Sequence, residues 1–197
     1  MPVNASNCDF GWKAKNFKLK SVDEQVYSLH DLQGSNGTVI VFICNHCPYV
    51  KAIADKLSYE SKELFKININ TIAIMSNDVV NYPEDSFENM KIFSKLHDFK
   101  FQYLYDEYQA VAKDYKAACT PDFFGFNNIL ELQYRGRIGS DPMHSKKNEY
   151  KRELYEAMKL INETNKGPIK QYNSIGCSIK WKQWLIKIKK FLLIIGP

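Results

Sequence analysis

Short apolar runs alternate along the chain with longer stretches in which apolar residues recur every three or four positions. That rhythm sets the expected elements. Val39-Ile40-Val41-Phe42-Ile43 is an unbroken β-branched and aromatic run, too short for a helix and suited to a strand covered on both faces. It stops at Cys44-Asn45-His46-Cys47-Pro48, where proline fits a first helical turn that has no use for its missing N–H. From Tyr49 to Phe65, Val50, Ile53, Ala54, Leu57, Leu64 and Phe65 fall at mostly three- and four-residue spacings between Lys51, Asp55, Lys56 and Lys62, which predicts an amphipathic helix. Thr71-Ile72-Ala73-Ile74-Met75 is a second bounded apolar run. Strand, helix and strand make a βαβ unit with parallel strands and a right-handed crossover.

The same reading extends to the rest of the chain. Asn16 to Ser28 alternates Phe17, Leu19 and Val26 about the polar turn Asp23-Glu24-Gln25, a short hairpin. Ser86 to His97 is a predicted helix with Phe87, Met90, Ile92, Phe93 and Leu96 for its buried side, Gln102 to Tyr105 a short strand and Tyr108 to Tyr115 a short helix. Phe123 to Phe126 and Leu130 to Ile138 form a hairpin about Asn127-Asn128. Arg135 and Arg137, two apart on its second strand, share a face, either drawing in anions or decorating an edge. Glu149 to Asn165 is a last helix with the stripe Leu154, Ala157, Met158 and Ile161, ended by Gly167-Pro168. The outcome is an α/β fold: a central mixed β-sheet flanked by helices over residues 1–165, with an N-terminal β-hairpin extension and a C-terminal arm, 166–197.

Composition narrows the class. At 197 residues, 45% hydrophobic and 14% aromatic, the chain can bury one sizeable core and is not disordered. Five cysteines are an odd number in a domain large enough to need no staples, so redox or metal chemistry is the better explanation of them than a disulfide scaffold. Residues 1–15 lack the apolar segment of a signal peptide, and a cytoplasmic protein is expected. The net charge of +5 is lopsided: residues 1–145 hold 15 Lys/Arg against 18 Asp/Glu, and 146–197 hold 12 against 4. Spread through Lys-rich helical patterns with no nucleic-acid motif, this basicity reads as a solvated face rather than a nucleic-acid site.

The chemistry centres on Cys44-x-x-Cys47. A Cys-x-x-Cys joining strand to helix is the signature of a thiol–disulfide site, whose sulfurs close a small disulfide without any added cofactor. Cys44, expected as the more exposed thiol just before the helix N-terminus, is the expected attacking thiolate, and Cys47 resolves the mixed disulfide. A protonated His46 would lower the thiol pKa and make the couple more oxidising. Asn77, in Ser76-Asn77-Asp78, lies at the carboxyl end of a parallel strand, where it either lines a substrate groove or caps a turn. Cys8, His30 and His97 read as ordinary packed or surface residues.

Cys44-Asn45-His46-Cys47-Pro48-Tyr49-Val50 closely resembles the active-site segment of the "peroxiredoxin-like" proteins of the thioredoxin-like superfamily, of redoxin or AhpC/TSA type. The likeness runs through Ser76-Asn77-Asp78, Tyr82-Pro83-Glu84-Asp85, Tyr103-Leu104-Tyr105-Asp106, Ala118-Cys119-Thr120-Pro121-Asp122-Phe123, Tyr134-Arg135-Gly136-Arg137-Ile138 and Ser174-Ile175-Gly176-Cys177-Ser178-Ile179-Lys180-Trp181. It implies a thioredoxin-like fold, and a cis Thr120-Pro121 facing the two cysteines with the Thr120 backbone free to pair with a docked substrate strand. Cys119 and Cys177 are possible accessory thiols, Cys177 either as an additional resolving thiol or as a passive one.

Three functions follow. A thiol–disulfide oxidoreductase with an antioxidant role would act on a protein or small-molecule thiol or disulfide and be recycled by thioredoxin or glutathione. A peroxidase would oxidise Cys47 with peroxide, although Cys44 stands where peroxiredoxins place a peroxide-binding hydroxyl and Ile40 where they place a proline. A copper-binding protein would use Cys44, His46 and Cys47. From Lys180 to Ile195, Trp181, Trp184, Leu185, Ile188, Leu192 and Ile195 share one helical face, suited to an anionic membrane surface, to docking on this protein or a twin chain, or to no selected role.

Overall fold

The structure, a computed structural model, describes residues 2–140 and 150–183. Its elements in chain order are β1 (Pro2–Asn4), β2 (Lys18–Ser21), β3 (Val26–Ser28), α1 (Leu29–Leu32), β4 (Gly37–Phe42), α2 (Pro48–Phe65), β5 (Ile69–Met75), a 3-10 turn (Pro83–Asp85), α3 (Phe87–Leu96), β6 (Gln102–Tyr105), α4 (Ala110–Asp114), β7 (Cys119–Thr120), β8 (Asp122–Phe126), β9 (Leu132–Gly136), α5 (Glu153–Thr164) and β10 (Ile175–Ser178). Seven strands form one mixed sheet in the order β3-β2-β6-β5-β4-β8-β9, and β1-β10-β7 form a second. β4 runs parallel to β5 and antiparallel to β8.

β4 is apolar without alternation because a core lies on each of its faces. Val39 and Val41 join the cluster built with Val50, Ile53 and Leu57 of α2, Met90 and Phe93 of α3, and Leu154 and Met158 of α5. Ile40 and Phe42 join the opposite cluster with Phe17, Leu29, Ala112, Tyr115, Phe124 and Phe126. Side chains of a strand alternate between faces, so a strand sandwiched in this way must be apolar throughout. Beneath the first cluster, buried Glu60 of α2 accepts two hydrogen bonds from Arg152, at 2.8 and 2.7 Å, and one from the Tyr150 hydroxyl. The Arg152 guanidinium also stacks 3.9 Å from the Tyr155 ring, which fastens α2 to the start of α5.

Several expectations change. Phe65, Ile92 and Leu96 are exposed, because α2 and α3 each meet the sheet through a narrower stripe than their apolar residues suggest. Arg135 and Arg137 do not share a face, because β9 ends at Gly136 and its alternation stops there. Arg135 is buried with Asp122 at 3.0 Å and lies over Phe124, while Arg137 pairs with Glu153 on α5 through bonds of 2.6 and 2.9 Å. Trp181 is not in a helix, and the rest of the 180–195 amphipathic pattern, from Trp184 on, lies outside the described residues. Among the described residues, no helix is long and apolar enough to cross a membrane.

Removing one member of a buried ion pair strands the other, so Arg152→Ala should lower the unfolding free energy by about 3 kcal/mol. Lys62→Ala, which breaks the exposed pair with Asp98, should cost less than about 0.5 kcal/mol. Denaturant melts of the two variants against the parent check the contrast.

Candidate active site

Pairing of β4 with β5 persists one residue past the strand, where Ile43 N–H donates to Ile74 O at 3.0 Å. The chain then turns through Cys44, Asn45 and His46 and enters α2 at Pro48, so Cys47 is the N-cap. Pro48 opens the helix as the sequence predicts, and Cys47, three residues after Cys44, sits where the unpaired amides and the helix dipole act.

Both sulfurs are buried and both meet Thr120 across the cis Thr120-Pro121 bond. Cys44 Sγ lies 3.3 Å from the Thr120 hydroxyl, and Cys47 Sγ lies 3.1 Å from the Thr120 carbonyl oxygen, to which its S–H donates when protonated. The mutual influence of the two neighbouring thiols splits their acidities. It pulls the Cys47 pKa down, with the backbone amides of Cys177 and Val50 acting in the same sense against burial. It pushes the Cys44 pKa up, helped by burial and by the charge of Asp85, with the Thr120 hydroxyl opposing. The contacts act in the opposite sense: the Thr120 carbonyl oxygen favours a proton on Cys47, and the Thr120 hydroxyl can donate to a Cys44 thiolate.

The turn carrying the cysteines hangs on Asp85, whose side chain is fully buried. Its Oδ1 accepts from the backbone N–H groups of Asn45 at 2.8 Å and His46 at 3.1 Å, and its Oδ2 accepts from Asn77 Nδ2 at 2.8 Å. The His46 ring nitrogen Nδ1 faces the same Oδ2 at 2.6 Å, with the ring stacked 5.5 Å from Tyr82. His46 thus directs its Nδ1 at Asp85. Asn45 is tied in turn by the Tyr103 hydroxyl, at 3.0 Å.

Asn77 does not line a groove. It is buried, and its Oδ1 accepts from Lys180 N–H at 2.9 Å, so it joins Asp85 to the C-terminal arm. The Thr120 backbone is not free for a docked strand either: β10 pairs antiparallel with β7, placing Cys177 opposite Thr120 and Ser178 opposite Cys119. Cys177 is half-buried and packs against the core that includes Cys44 and Cys47, and burial pushes its pKa up to about 11. Cys119 is buried, with its thiol donating to Pro121 O at 3.4 Å and its pKa pushed up by burial.

One atom each of Cys44, His46 and Asp85 lie within 4.8 Å of one another, a set of residue types able to hold a metal ion. The copper set expected from sequence, Cys44, His46 and Cys47, is not what assembles: Cys47 turns toward Thr120 and Cys177 instead. Asp85 and Tyr103 escaped the sequence reading as site residues. An acidic residue in a Pro-Glu-Asp loop looks solvated until tertiary contacts bury it, and the only available hint was its place beside a turn of unpaired amides.

A comparison with curated proteins found no match. Among solved structures, the fold superposes on an uncharacterised conserved protein from Geobacillus kaustophilus with a TM-score of 0.88 and 40% identity, covering 93% of this chain and 97% of that one. It is similar to a hypothetical protein from Sinorhizobium meliloti at a TM-score of 0.86 and 30% identity, covering 91% and 98%. A secreted disulfide oxidoreductase of Mycobacterium tuberculosis shares the thioredoxin-like fold at a TM-score of 0.57 and 15% identity, over 73% of this chain and 95% of that one. The AhpC/TSA family model matches residues 10–140, well over half of the sequence. The chain belongs to the AhpC/TSA family, with the thioredoxin-like fold and the redox role which that membership brings.

Proposed function

We propose that the protein is a thiol–disulfide oxidoreductase working through the Cys44/Cys47 dithiol. The observation that carries this reading is the pair of buried thiols meeting the hydroxyl and the carbonyl oxygen of Thr120, with Cys47 at the helix N-cap, where an anionic sulfur is favoured. The Cys47 thiolate attacks one sulfur of the disulfide presented to it, forming a mixed disulfide and expelling one thiolate. Cys44 then gives up its proton and attacks the Cys47 sulfur, expelling the second thiol and leaving the Cys44–Cys47 disulfide. Two electrons pass from protein to substrate. Thioredoxin or glutathione returns them, and no resident cofactor takes part.

Peroxide reduction at Cys47 is a second reading, favoured by the N-cap position. Cys47 would become a sulfenic acid, and Cys44 would displace water from it to form the same disulfide. The surroundings argue for a slow reaction. The Thr120 hydroxyl is directed at Cys44, and Arg135 and Arg137 are held by Asp122 and Glu153.

In glutathione redox buffers, alkylation and mass spectrometry should show one two-electron transition that vanishes in Cys44→Ser and in Cys47→Ser. A wild-type pair that stays reduced throughout rejects the oxidoreductase reading. The ultraviolet thiolate absorbance of reduced protein should show a titration step below the ~8.5 of a free thiol. That step should vanish in Cys47→Ser and move upward in Cys44→Ala, which lacks the neighbouring thiol that holds the Cys47 pKa down. Because Cys47 has a lower pKa folded than unfolded, its ionisation adds stability that is lost as pH falls through the folded value. Reduced wild type should therefore gain stability over Cys47→Ser as pH rises toward 9.0.

A further inference from the structure

Cys44 and Cys47 are each 0% exposed, yet disulfide exchange requires in-line contact between sulfurs. Among the described residues, the partly exposed thiol packed against the core that holds the pair is Cys177. It arrives on β10, opposite the residue whose two oxygens meet the two buried sulfurs.

The arm is built to hold Cys177 there. On one side of it, Ala5 N–H donates to Ser174 O at 2.9 Å, and the Ser174 hydroxyl donates to Gly136 O at 2.7 Å. On the other, Ile179 is buried, Lys180 N–H donates to Asn77 Oδ1, and Asp78 N–H donates to Lys180 O at 2.8 Å. Between these anchors, Gly176 passes so close to Thr120 that a Cβ there would stand 2.1 Å from the Thr120 carbonyl oxygen. A passive tail thiol needs neither this approach nor anchors on both flanks. The arm also fills the edge of β7, where an incoming protein strand would pair, which leaves small thiols and disulfides as the partners that reach Cys177 without displacing it.

We propose that Cys177 is a third redox thiol, carrying exchange between small external thiols of the glutathione class and the buried Cys44/Cys47 pair. This rests on the oxidoreductase reading. Starting from the Cys44–Cys47 disulfide, the Cys177 thiolate attacks the Cys47 sulfur; the Cys47–Cys177 bond forms, and Cys44 leaves and takes up the proton that Cys177 lost. One external thiol then attacks the Cys177 sulfur and expels Cys47 as the thiolate that its N-cap site favours. A second external thiol attacks the external sulfur of that mixed disulfide, releasing the small disulfide and freeing Cys177. The balance is one protein disulfide and two small thiols giving one protein dithiol and one small disulfide, and the reverse sequence oxidises the protein.

The test uses full-length protein and glutathione disulfide as probe. Reduced Cys44→Ser is exposed to the probe, acid-quenched, alkylated and mapped by mass spectrometry; the expected product is a Cys47–Cys177 disulfide. In Cys177→Ser, oxidation of the Cys44/Cys47 pair should slow by about tenfold or more, since external sulfur must then reach a buried one. Far-UV circular dichroism and melting confirm that each variant is folded, and Cys44→Ala replaces Cys44→Ser if the latter is not. A glutathione adduct on Cys47 with Cys177 still free to alkylate, or an unchanged rate in Cys177→Ser, overturns the relay. If wild type forms no Cys44–Cys47 disulfide at all, the relay is overturned together with the oxidoreductase reading, whereas wild-type oxidation with either negative result removes the relay alone.

Discussion

The site depends on a buried carboxyl group. Taking a carboxyl out of water without partners costs several kcal/mol, so Asp85 is tolerated only where donors surround it. Those donors are the amides of Asn45 and His46, the Asn77 side chain and the His46 ring. Satisfying it fixes three separate pieces of chain against one another: the turn between β4 and α2, the strand end after β5 and the 3-10 turn before α3. The placement of Cys44 and Cys47 follows from that clamp.

Reactivity and burial oppose each other at this site. Desolvation alone would raise both thiol pKa values and silence them. At Cys47 the neighbouring Cys44 thiol and the backbone of Cys177 and Val50 act against desolvation, while at Cys44 burial and the nearby charge of Asp85 push the pKa up and the Thr120 hydroxyl opposes. Two chemically identical groups three residues apart thereby meet different surroundings.

The arm is continuous with this arrangement rather than appended to it. Its strand completes a small sheet with β1 and β7, and its next residues bond to Asn77 and Gln109. Asp85, Asn77 and Lys180 form a line of hydrogen bonds from the cysteine turn to the arm, so the position of Cys177 and that of Cys44–Cys47 are set by the same contacts.

Much of the fold was legible in local pattern. The continuous apolar run at Val39–Ile43 marked a strand with a core on both faces, and Cys-x-x-Cys before Pro48 marked a strand-to-helix junction, because periodicity and proline geometry act over a few residues. The stripes of α2 and α5 were legible for the same reason, and the resemblance carried the cis Thr120-Pro121 bond. Which cysteine is the thiolate was not legible, since the groups that distinguish the two sulfurs, Thr120 and Asp85, lie dozens of residues away in the chain. Nor were the roles of Asp85, Asn77, Arg135 and Cys177, each of which depends on a partner dozens of residues away and on burial that only the assembled sheets create. Sequence determined which groups are present and the elements that carry them; tertiary structure decided which are desolvated, which are paired and which sulfur meets which.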